Sequence, residues 1–325
     1  MTGHQYATAI VGCGKIAGQA DRPRTSGPVG THAQAYVRHG AFRIEAVCDP
    51  REERRVRFAE VWGVPRTYGS LGDLLEHERP RVISVCSDTA LHASEACDIL
   101  RAHPSPPVVF VEKPVCTTAA DLDHLHRVAS TAGAAILVNH SRRFDPAHQR
   151  LAALIRRGEL GPLVHGRCDY YGGWLHNGCH MVDTLRMLFG ALTIDHVAAG
   201  APGRPGDPCI DVRLLADGAP IEMTGSNEQH FQLFEMDLRF ERGRVLVRDF
   251  GEQIVVQDVE INAIGERVLV PRADSPWAGL DSPLLHAVGA IRTHLDTGSG
   301  LDSTGATLKE ACETMKVLWQ AVAQV

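Results

Sequence analysis

The chain has 325 residues, with 33 Lys and Arg against 39 Asp and Glu, so its formal net charge is −6. A nucleic-acid binder needs a concentrated basic surface, and this balance argues against that class of protein. At about 150 residues per domain, the length predicts two domains, each large enough to bury its own core.

Cysteine use and hydropathy predict the compartment. The nine cysteines are scattered, and no two of them have the CxxC spacing. Such a set is typical of reduced thiols rather than of a disulfide framework. The N-terminus lacks the plan of a signal peptide, and no stretch approaches the roughly 20 apolar residues of a membrane span. We therefore expect a soluble, cytoplasmic protein without a membrane partner.

The first 140 residues alternate short apolar runs with amphipathic helices. Continuous apolar runs are typical of strands that are covered on both faces, and their strict alternation with helices predicts a doubly wound parallel sheet. The predicted strands are residues 7–11, 43–48, 82–86, 108–111 and 135–138. The predicted helices include residues 50–62, a helix capped by Ser70, residues 91–102, and a helix from Thr117 or Thr118 to 132.

After residue 140 the pattern changes. Helices are predicted over residues 146–157, 180–189, 283–296 and 304–323, and a strand over residues 163–171. Residues 193–270 are mostly strand, and the alternation of Met236, Leu238 and Phe240 indicates a sheet with one buried face. The sequence therefore predicts a second α/β domain over residues 141–325 with an open, mostly antiparallel sheet, whose last helix could pack back on the first domain.

A glycine turn follows the first strand. Residues 12–17 fit the GxGxxG/A pattern, in which Gly12 permits the tight turn and Gly14 lets the backbone approach a pyrophosphate. The small Ala17 allows close packing of helix and strand, and helix N–H groups would face the phosphates. Glycine-rich turns also occur for packing alone, so the motif needs an acidic partner.

The second strand ends in Asp49, whose carboxylate can accept hydrogen bonds from both ribose hydroxyls of an adenosine. A carboxylate there repels a 2′-phosphate, which favours NAD over NADP, and Arg51 could soften that preference. The alternative is that Asp49 simply caps the next helix.

Gly14 and Asp49 are 35 positions apart, whereas about 20 is typical. The excess lies in residues 18–30, which are rich in Gly and Pro and cannot continue a helix. Thr31 and Gln34 then form a capping box that restarts it. The segment is either an inserted loop beside the cofactor or a disordered surface excursion.

The predicted strand over residues 108–111 leads into Glu112-Lys113-Pro114, which places Lys113 at the carboxyl edge of the sheet, where ligands bind in open α/β folds. Near a nicotinamide its ammonium group could polarise a substrate oxygen. A lone lysine at a strand end is usually a solvated charge, but the glycine turn favours the functional interpretation.

Together these motifs resemble the Gfo/Idh/MocA family of oxidoreductases over nearly the whole chain. The stretches that carry the resemblance are the glycine turn, Val-Cys-Asp49-Pro, Glu112-Lys113-Pro114, Arg142-Arg143-Phe144-Asp145-Pro146 and Gly178-Cys179-His180-Met181-Val182-Asp183. The resemblance implies an NAD(P)-binding Rossmann domain over residues 1–140 and a substrate-binding and oligomerisation domain over residues 141–325. It also implies that Lys113 and His180 work at the nicotinamide ring.

One position departs from the family. Many family dehydrogenases have an aspartate four residues before the histidine, and this chain has His176 there. A neutral histidine orients an imidazole less well than a carboxylate does. His176, His180 and Asp183 could also be metal ligands, but Gly178 makes a continuous helix through both histidines doubtful, and we predict no metal site.

The predicted cofactor is NAD, with NADP possible, and the predicted site residues form three sets. The catalytic set is Lys113, His180 and His176. The cofactor-binding set is Gly12, Cys13, Gly14, Lys15, Ile16, Asp49, Ser87, Asp88, His92, Glu112 and Lys113. The substrate-binding set is Arg142, Arg143, Tyr170, Asn177 and His180, where an arginine could meet a phosphate or carboxylate.

These sets predict an NAD(P)-dependent oxidoreductase that transfers a hydride between nicotinamide and a secondary alcohol or ketone of a sugar, nucleotide-sugar or polyol. Two alternatives stay open, an NAD-dependent glycosidase or lyase with transient oxidation and a non-catalytic NAD and sugar sensor. The open sheet of the second domain predicts a homodimer or homotetramer.

Overall fold

The computed structural model describes residues 5–102 and 107–325. The chain divides into two compact units, Met1–Phe144 with Ser282–Cys312 and Asp145–Asp281 with Glu313–Val325. The sequence predicted one division after residue 140, with everything beyond it in the second domain. The structure instead returns residues 282–312 to the first unit, and the division falls within the last helix.

The first unit contains a six-stranded sheet in which every pairing is parallel. Its strands are β1 (Tyr6–Val11), β2 (Phe42–Cys48), β3 (Arg66–Tyr68), β4 (Val82–Val85), β5 (Val108–Val111) and β6 (Ile136–Val138). Their order in the sheet is β3-β2-β1-β4-β5-β6. The predicted doubly wound sheet is confirmed. The sequence missed β3 because its three residues form no apolar run.

Helices pack around this sheet. They are α1 (His32–His39), α2 (Glu52–Trp62), α3 (Leu71–His77), α4 (His92–Ala102), α5 (Ala119–Ala132) and, after the second unit, α8 (Pro283–Thr297). The side chains of Thr31, Ser70 and Thr118 each accept a backbone N–H at a helix start, as N-caps do. Buried apolar residues of α8, including Val288 and Ile291, join the core of the first unit, which explains why this helix belongs to it.

The segment that separates the glycine turn from α1 is an ordered loop. His32 N–H donates to the Ile16 carbonyl and Ala33 N–H to the Ala17 carbonyl, so α1 resumes the helical turn begun after Gly14. Within the loop, the Thr31 hydroxyl donates to Asp21, and the Trp62 indole N–H donates to the Gly18 carbonyl. Thr31 caps α1, but the second half of the predicted capping box is absent because the Gln34 amide binds the Arg24 backbone instead.

The second unit contains a mixed sheet. Its strands are β7 (Leu163–Tyr171), β8 (Thr193–Ala199), β9 (Ile210–Ala216), β10 (Ala219–Ser226), β11 (Glu235–Phe240), β12 (Gly243–Arg248), β13 (Gln253–Ile261), β14 (Arg267–Pro271) and β15 (Trp277–Ala278). The order is β14-β13-β12-β11-β7-β10-β9-β8, with β15 beside β13. Among the described strands of this second sheet, only β10 and β7 form a parallel pair, which confirms the mostly antiparallel sheet.

Strand patterning in this sheet leaves one face buried, as in β9, where buried and less buried residues alternate. The remaining helices are α6 (Pro146–Arg156), α7 (Cys179–Phe189) and α9 (Leu308–Val322). Asp145 caps α6 by accepting the His148 N–H at 2.9 Å. In the described part of the chain, none of the helices has the length and apolar character that crossing a membrane requires.

Candidate cofactor and substrate sites

A cleft of about 320 Å³ opens at the carboxyl ends of β1, β2 and β4 in the first unit. Five residues of the predicted cofactor set line it, namely Gly12, Gly14, Asp49, Ser87 and Asp88. The sequence predicted no ligand contact for several other lining residues, which are Arg54, Ser70, Leu71, Leu91 and Glu95. They come from the starts of helices and from helix interiors, where no local motif marks a ligand contact.

Glycine is needed at the two positions of the turn, Gly12 and Gly14, for different structural reasons. Gly12 has a φ of 85°, and a Cβ there would lie 2.6 Å from the Ser87 backbone nitrogen. A side chain at this position would therefore collide with the loop that follows β4. At Gly14 a Cβ would meet nothing within 4 Å. The first glycine is needed for packing, and the second leaves open space in which a pyrophosphate fits.

Asp49 is held in place at the edge of the cleft. Its Oδ2 accepts the Cys13 N–H at 3.0 Å, and its Oδ1 accepts the Arg51 N–H at 2.9 Å. Burial alone would raise the pKa of Asp49, but these bonds and the Arg51 guanidinium outweigh it and hold that pKa below its usual value. Oδ1 also accepts a bond from Arg51 Nε at 3.2 Å. A carboxylate has about four acceptor sites, so Asp49 keeps capacity for one more bond, from a ribose hydroxyl. The residues present fit NAD.

The rest of the glycine turn contributes through its backbone or its position. Cys13 is buried, and burial raises the pKa of its thiol to about 12, so its contribution is the N–H that orients Asp49. Ile16 packs against the apolar core of the first unit. Lys15 is exposed beside the turn.

His92 differs from its prediction as a cofactor contact. Its ring is buried, with Nδ1 2.8 Å from the Pro114 carbonyl and Nε2 3.0 Å from the Ser87 carbonyl. The imidazole therefore connects the loop after β4 with the loop after β5. His92 is a positioning residue for those loops, because both ring nitrogens face backbone carbonyls, to one of which a neutral imidazole donates.

Glu112 also differs from its prediction, because its carboxylate points into the protein. Glu112 Oε1 lies 2.9 Å from His32 Nε2 and 2.6 Å from Asn139 Nδ2. His32 Nδ1 lies 2.9 Å from Ser84 Oγ, which in turn lies 2.7 Å from the Tyr36 hydroxyl. These five buried residues form a continuous polar chain, which includes Glu112, the residue that precedes Lys113.

A proton on His32 Nε2 alone allows every bond from Tyr36 to Glu112 to form, whereas Asn139 Oδ1 makes no hydrogen bond to a described residue. Tyr36 then donates to Ser84, Ser84 to His32 Nδ1, and His32 Nε2 to Glu112. Burial alone would raise the pKa of Glu112, but the bonds from His32 and Asn139 hold it below its usual value. An ionised carboxylate is thus fixed next to Lys113. The sequence missed His32 and Asn139 because they are distant in the chain and match no motif.

We expect His32→Leu to lower the free energy of unfolding by about 1–3 kcal/mol, because it leaves the buried Glu112 carboxylate without one of its two hydrogen-bond donors. Urea unfolding at pH 7 measures this change. The matched control is the His32→Leu/Glu112→Gln double variant, which buries no charge and should recover much of the loss. An unchanged unfolding midpoint in His32→Leu would contradict this account of Glu112.

The same carboxylate predicts the direction of the acid response. The folded-state pKa of Glu112 is below its ordinary value of 4.5, so its ionisation stabilises the fold above that pH. This contribution is lost as the pH falls through the lower, folded-state value. Wild-type stability should therefore fall more steeply below about pH 4.5 than that of Glu112→Gln.

The two histidines of the predicted catalytic set, His176 and His180, lie on consecutive helical turns. Trp174–Gly178 form a short π-helical turn that runs directly into α7. Gly178 has helical dihedral angles, and a Cβ there would lie 2.7 Å from the Trp174 ring. The expectation that Gly178 interrupts the helix is therefore wrong, since this glycine makes room for the buried tryptophan. π-helical turns inside helices often occur at functional sites.

Asn177 lies in this turn, and its side-chain amide nitrogen, Nδ2, is buried without a hydrogen bond to any described residue. The residue as a whole is only 7% exposed. A buried N–H without a partner costs about 1–3 kcal/mol, which makes Asn177 a candidate to bind a ligand. The backbone of the turn is capped by Asp207, which accepts the Leu175 and His176 N–H groups.

Tyr170 is not a substrate contact. It is fully buried, and its hydroxyl donates to the Ile210 carbonyl at 2.8 Å and accepts the Ile210 N–H at 2.8 Å. The ring packs edge-on against Trp174. Of the two neighbouring tyrosines, Tyr170 therefore faces the core, as one member of each adjacent pair in a half-buried strand must.

The arginine pair after β6 is buried rather than solvated. The Arg143 guanidinium lies 3.8 Å from the Glu310 carboxylate, so it holds the start of α9 within the first unit. The predicted substrate contacts of Arg142 and Arg143 both stay predictions.

The described residues contain no group of three His, Cys, Asp or Glu side chains that could hold a metal ion. Asp183 is buried, and its Oδ1 accepts the Thr314 hydroxyl at 2.9 Å. This contact assigns Asp183 to packing within the second unit.

Known proteins resemble the chain over most of its length. Myo-inositol 2-dehydrogenase of Thermotoga maritima is 29% identical over 274 residues, which cover 75% of this chain and 79% of that protein. Among solved structures, a 3-ketoreductase from Actinomadura kijaniata in complex with NADP and TDP-benzene has a TM-score of 0.77. That structure is 18% identical, and the match covers 99% of this chain and 98% of the other.

A dehydrogenase from Bordetella pertussis, solved with NADH and UDP-GlcNAcA, has a TM-score of 0.78 at 17% identity, covering 98% of this chain and 97% of that one. At these identities the structures show the shared fold. The family evidence comes from the sequence, in which residues 6–140 match an oxidoreductase family with an NAD-binding Rossmann fold. The resemblance inferred from the motifs is confirmed, because the family that residues 6–140 match is the Gfo/Idh/MocA family of oxidoreductases.

Proposed function

We propose that the protein is an NAD(P)-dependent dehydrogenase or reductase that acts on a secondary alcohol or ketone of a sugar, nucleotide-sugar or polyol. The observation that carries the proposal is Lys113, which follows β5 in an NAD-binding Rossmann domain and is preceded by a buried, ionised Glu112. The substrate class follows from the relatives, which include a myo-inositol dehydrogenase.

The proposed roles divide between two side chains. Bound nicotinamide would supply the carbon that accepts or donates the hydride. In the oxidising direction, His180 accepts the proton of the substrate hydroxyl, and the Lys113 ammonium group stabilises the negative charge that develops on that oxygen. The turn that holds His176 fixes the chain leading to His180, since Asp207 accepts the His176 backbone N–H at 2.9 Å.

We further propose that NAD is preferred to NADP. The support is Asp49, which lines the cleft and whose lowered pKa keeps it ionised at neutral pH. A fixed carboxylate at this position binds ribose hydroxyls and repels a 2′-phosphate. Arg51 and Arg54 also line the cleft, so NADP remains a usable second cofactor in this proposal.

The oligomer and the compartment are also proposals. The one-sided burial of strands such as β9 leaves a sheet face on which a second copy could pack, as in a homodimer or homotetramer. All nine cysteines are buried, and their scattered spacing is typical of reduced thiols, which fits the proposed cytoplasmic location.

A ternary binding screen tests the proposed function. Purified protein is heated with NAD or NADP in the presence of myo-inositol, D-glucose or UDP-glucose, and NADH formation is followed in parallel. We expect NAD alone to raise the melting temperature, and one polyhydroxylated ligand to raise it by about 5 °C more at high saturation. The proposal fails if no ligand in the panel adds to the effect of the cofactor and no reduced cofactor forms.

A further inference from the structure

We propose that Glu228 and Asn177 form a subsite that binds one hydroxyl group of the substrate, with Asn177 donating to its oxygen and Glu228 accepting its proton. This inference rests on the proposed function, because it assumes a polyhydroxylated substrate. It adds a specificity-determining residue, Glu228, which lies just after β10 and belongs to no motif that the sequence offered. Both residues belong to the second unit.

The first step of the argument is the geometry at Gly172. This residue has a φ of 67°, and a Cβ added to it would lie 2.5 Å from Glu228 Oε2 and 2.9 Å from Asn177 Nδ2. The carboxylate oxygen and the amide nitrogen therefore approach the same side of one bare glycine. Asn177 Nδ2 has no hydrogen bond within the described residues, so these two polar groups lie close together without bonding to each other.

The second step is that Glu228 is held as a rigid acceptor. Arg204 Nε lies 3.0 Å from Glu228 Oε1, and Arg204 Nη2 lies 2.9 Å from Oε2. This two-pronged pairing is a strong and directional form of the arginine–carboxylate contact. The Arg204 bonds hold the pKa of Glu228 below its usual value. An ionised carboxylate only accepts hydrogen bonds, and each of its oxygens can accept more than one.

The third step is the chemistry that fits a donor beside an acceptor. A hydroxyl group is the smallest organic group that accepts one hydrogen bond and donates another. Placed between Asn177 Nδ2 and Glu228 Oε2, it would satisfy the buried amide and use the free capacity of the carboxylate. A carboxylate or phosphate group would meet repulsion from Glu228, so the subsite selects a neutral hydroxyl.

The neighbouring glycine shows that this part of the fold is built around carboxylates. Gly173 has a φ of 110°, and a Cβ there would collide with the Asp207 carboxylate. Asp207 caps the π-helical turn, where Oδ1 and Oδ2 accept the Leu175 and His176 N–H groups at 2.8 and 2.9 Å. Of the two carboxylates against the glycine pair, Asp207 supports the turn, and Glu228 is the one that shares Gly172 with the Asn177 amide.

The test compares Glu228→Gln and Asn177→Ala with wild type on the best substrate of the panel above and on its analogues that lack one hydroxyl each. We expect KM and the calorimetric Kd for the full substrate to rise about 10- to 100-fold in either variant, with kcat changed much less. One deoxy analogue should lack the hydroxyl that this subsite binds. With that analogue, wild type should already show the same rise in KM, and each variant should raise the KM almost no further.

The matched control is Glu222→Gln, which removes a carboxylate paired with Arg213 on the exposed face of β10 and should leave KM unchanged. The melting temperature of each variant shows whether it is folded, and Asn177→Ala supplies the answer if Glu228→Gln is not. The inference is overturned if the KM of both variants stays at the wild-type value. It is also overturned if the variants raise KM equally for every deoxy analogue, which indicates that the space between Asn177 and Glu228 holds water only. Failure of wild type to turn over any panel member would instead contradict the proposed function.

Discussion

Lys113→Ala is expected to lower kcat by about 10²- to 10⁴-fold while leaving the Kd for NAD almost unchanged. The physical reason is that the ammonium group stabilises charge that develops on the substrate oxygen only during the reaction, whereas the cofactor is held by the glycine turn and Asp49. Steady-state kinetics and NAD titration on the same preparation measure the two quantities separately.

The control for this substitution is Lys309→Ala, which removes an exposed lysine of the same unit and should have no effect on kcat. Lys113→Ala should also unfold at the wild-type temperature, because Glu112 keeps its bonds to His32 and Asn139. Turnover within twofold of wild type in the Lys113 variant would remove this residue from the mechanism.

Gly14→Ala is expected to weaken NAD binding at least tenfold without changing the melting temperature, and Gly12→Ala is expected to destabilise the fold itself. At Gly14 the added methyl group enters open space, so it costs the folded protein little but occupies room that a pyrophosphate needs. At Gly12 it would meet backbone atoms of Cys86 and Ser87 at a positive φ, which should cost about 2–4 kcal/mol.

The pair serves as its own control, because both substitutions add the same methyl group two residues apart. Differential scanning calorimetry of the free protein and titration with NAD measure the two effects. Equal melting temperatures for the two variants would contradict the packing reason given for Gly12, and full NAD affinity in Gly14→Ala would contradict the phosphate site.

Local pattern was sufficient for most of the fold. The apolar runs and caps predicted five of the six strands of the first sheet, and β7 was predicted with its observed ends, Leu163–Tyr171. The glycine turn and Asp49 were brought together at one cleft, as their strand ends require. These features are readable because each depends on residues close in sequence or on the shared carboxyl edge of a parallel sheet.

Contacts between distant residues were beyond sequence reasoning. His32 meets Glu112 across 80 positions, and Glu112 meets Asn139 across 27, with no spacing rule to link them. Tyr170 illustrates a different limit, because alternation shows that one of two adjacent tyrosines is buried without showing which. Only the bonds of its hydroxyl to Ile210 settle that Tyr170 faces the core.

The helical turn after Gly14 and helix α1 are joined by hydrogen bonds across the loop that separates them in the sequence. Hydrogen bonds from His32 and Ala33 to Ile16 and Ala17 make one helical turn out of two stretches that are far apart in the chain. Distance counted along the sequence therefore overstates the separation between Gly14 and Asp49, and the relevant length is that of the hydrogen-bonded path. The intervening loop is a module that could change in length or composition without moving the phosphate-binding turn, which leaves this surface open to variation independent of the cofactor site.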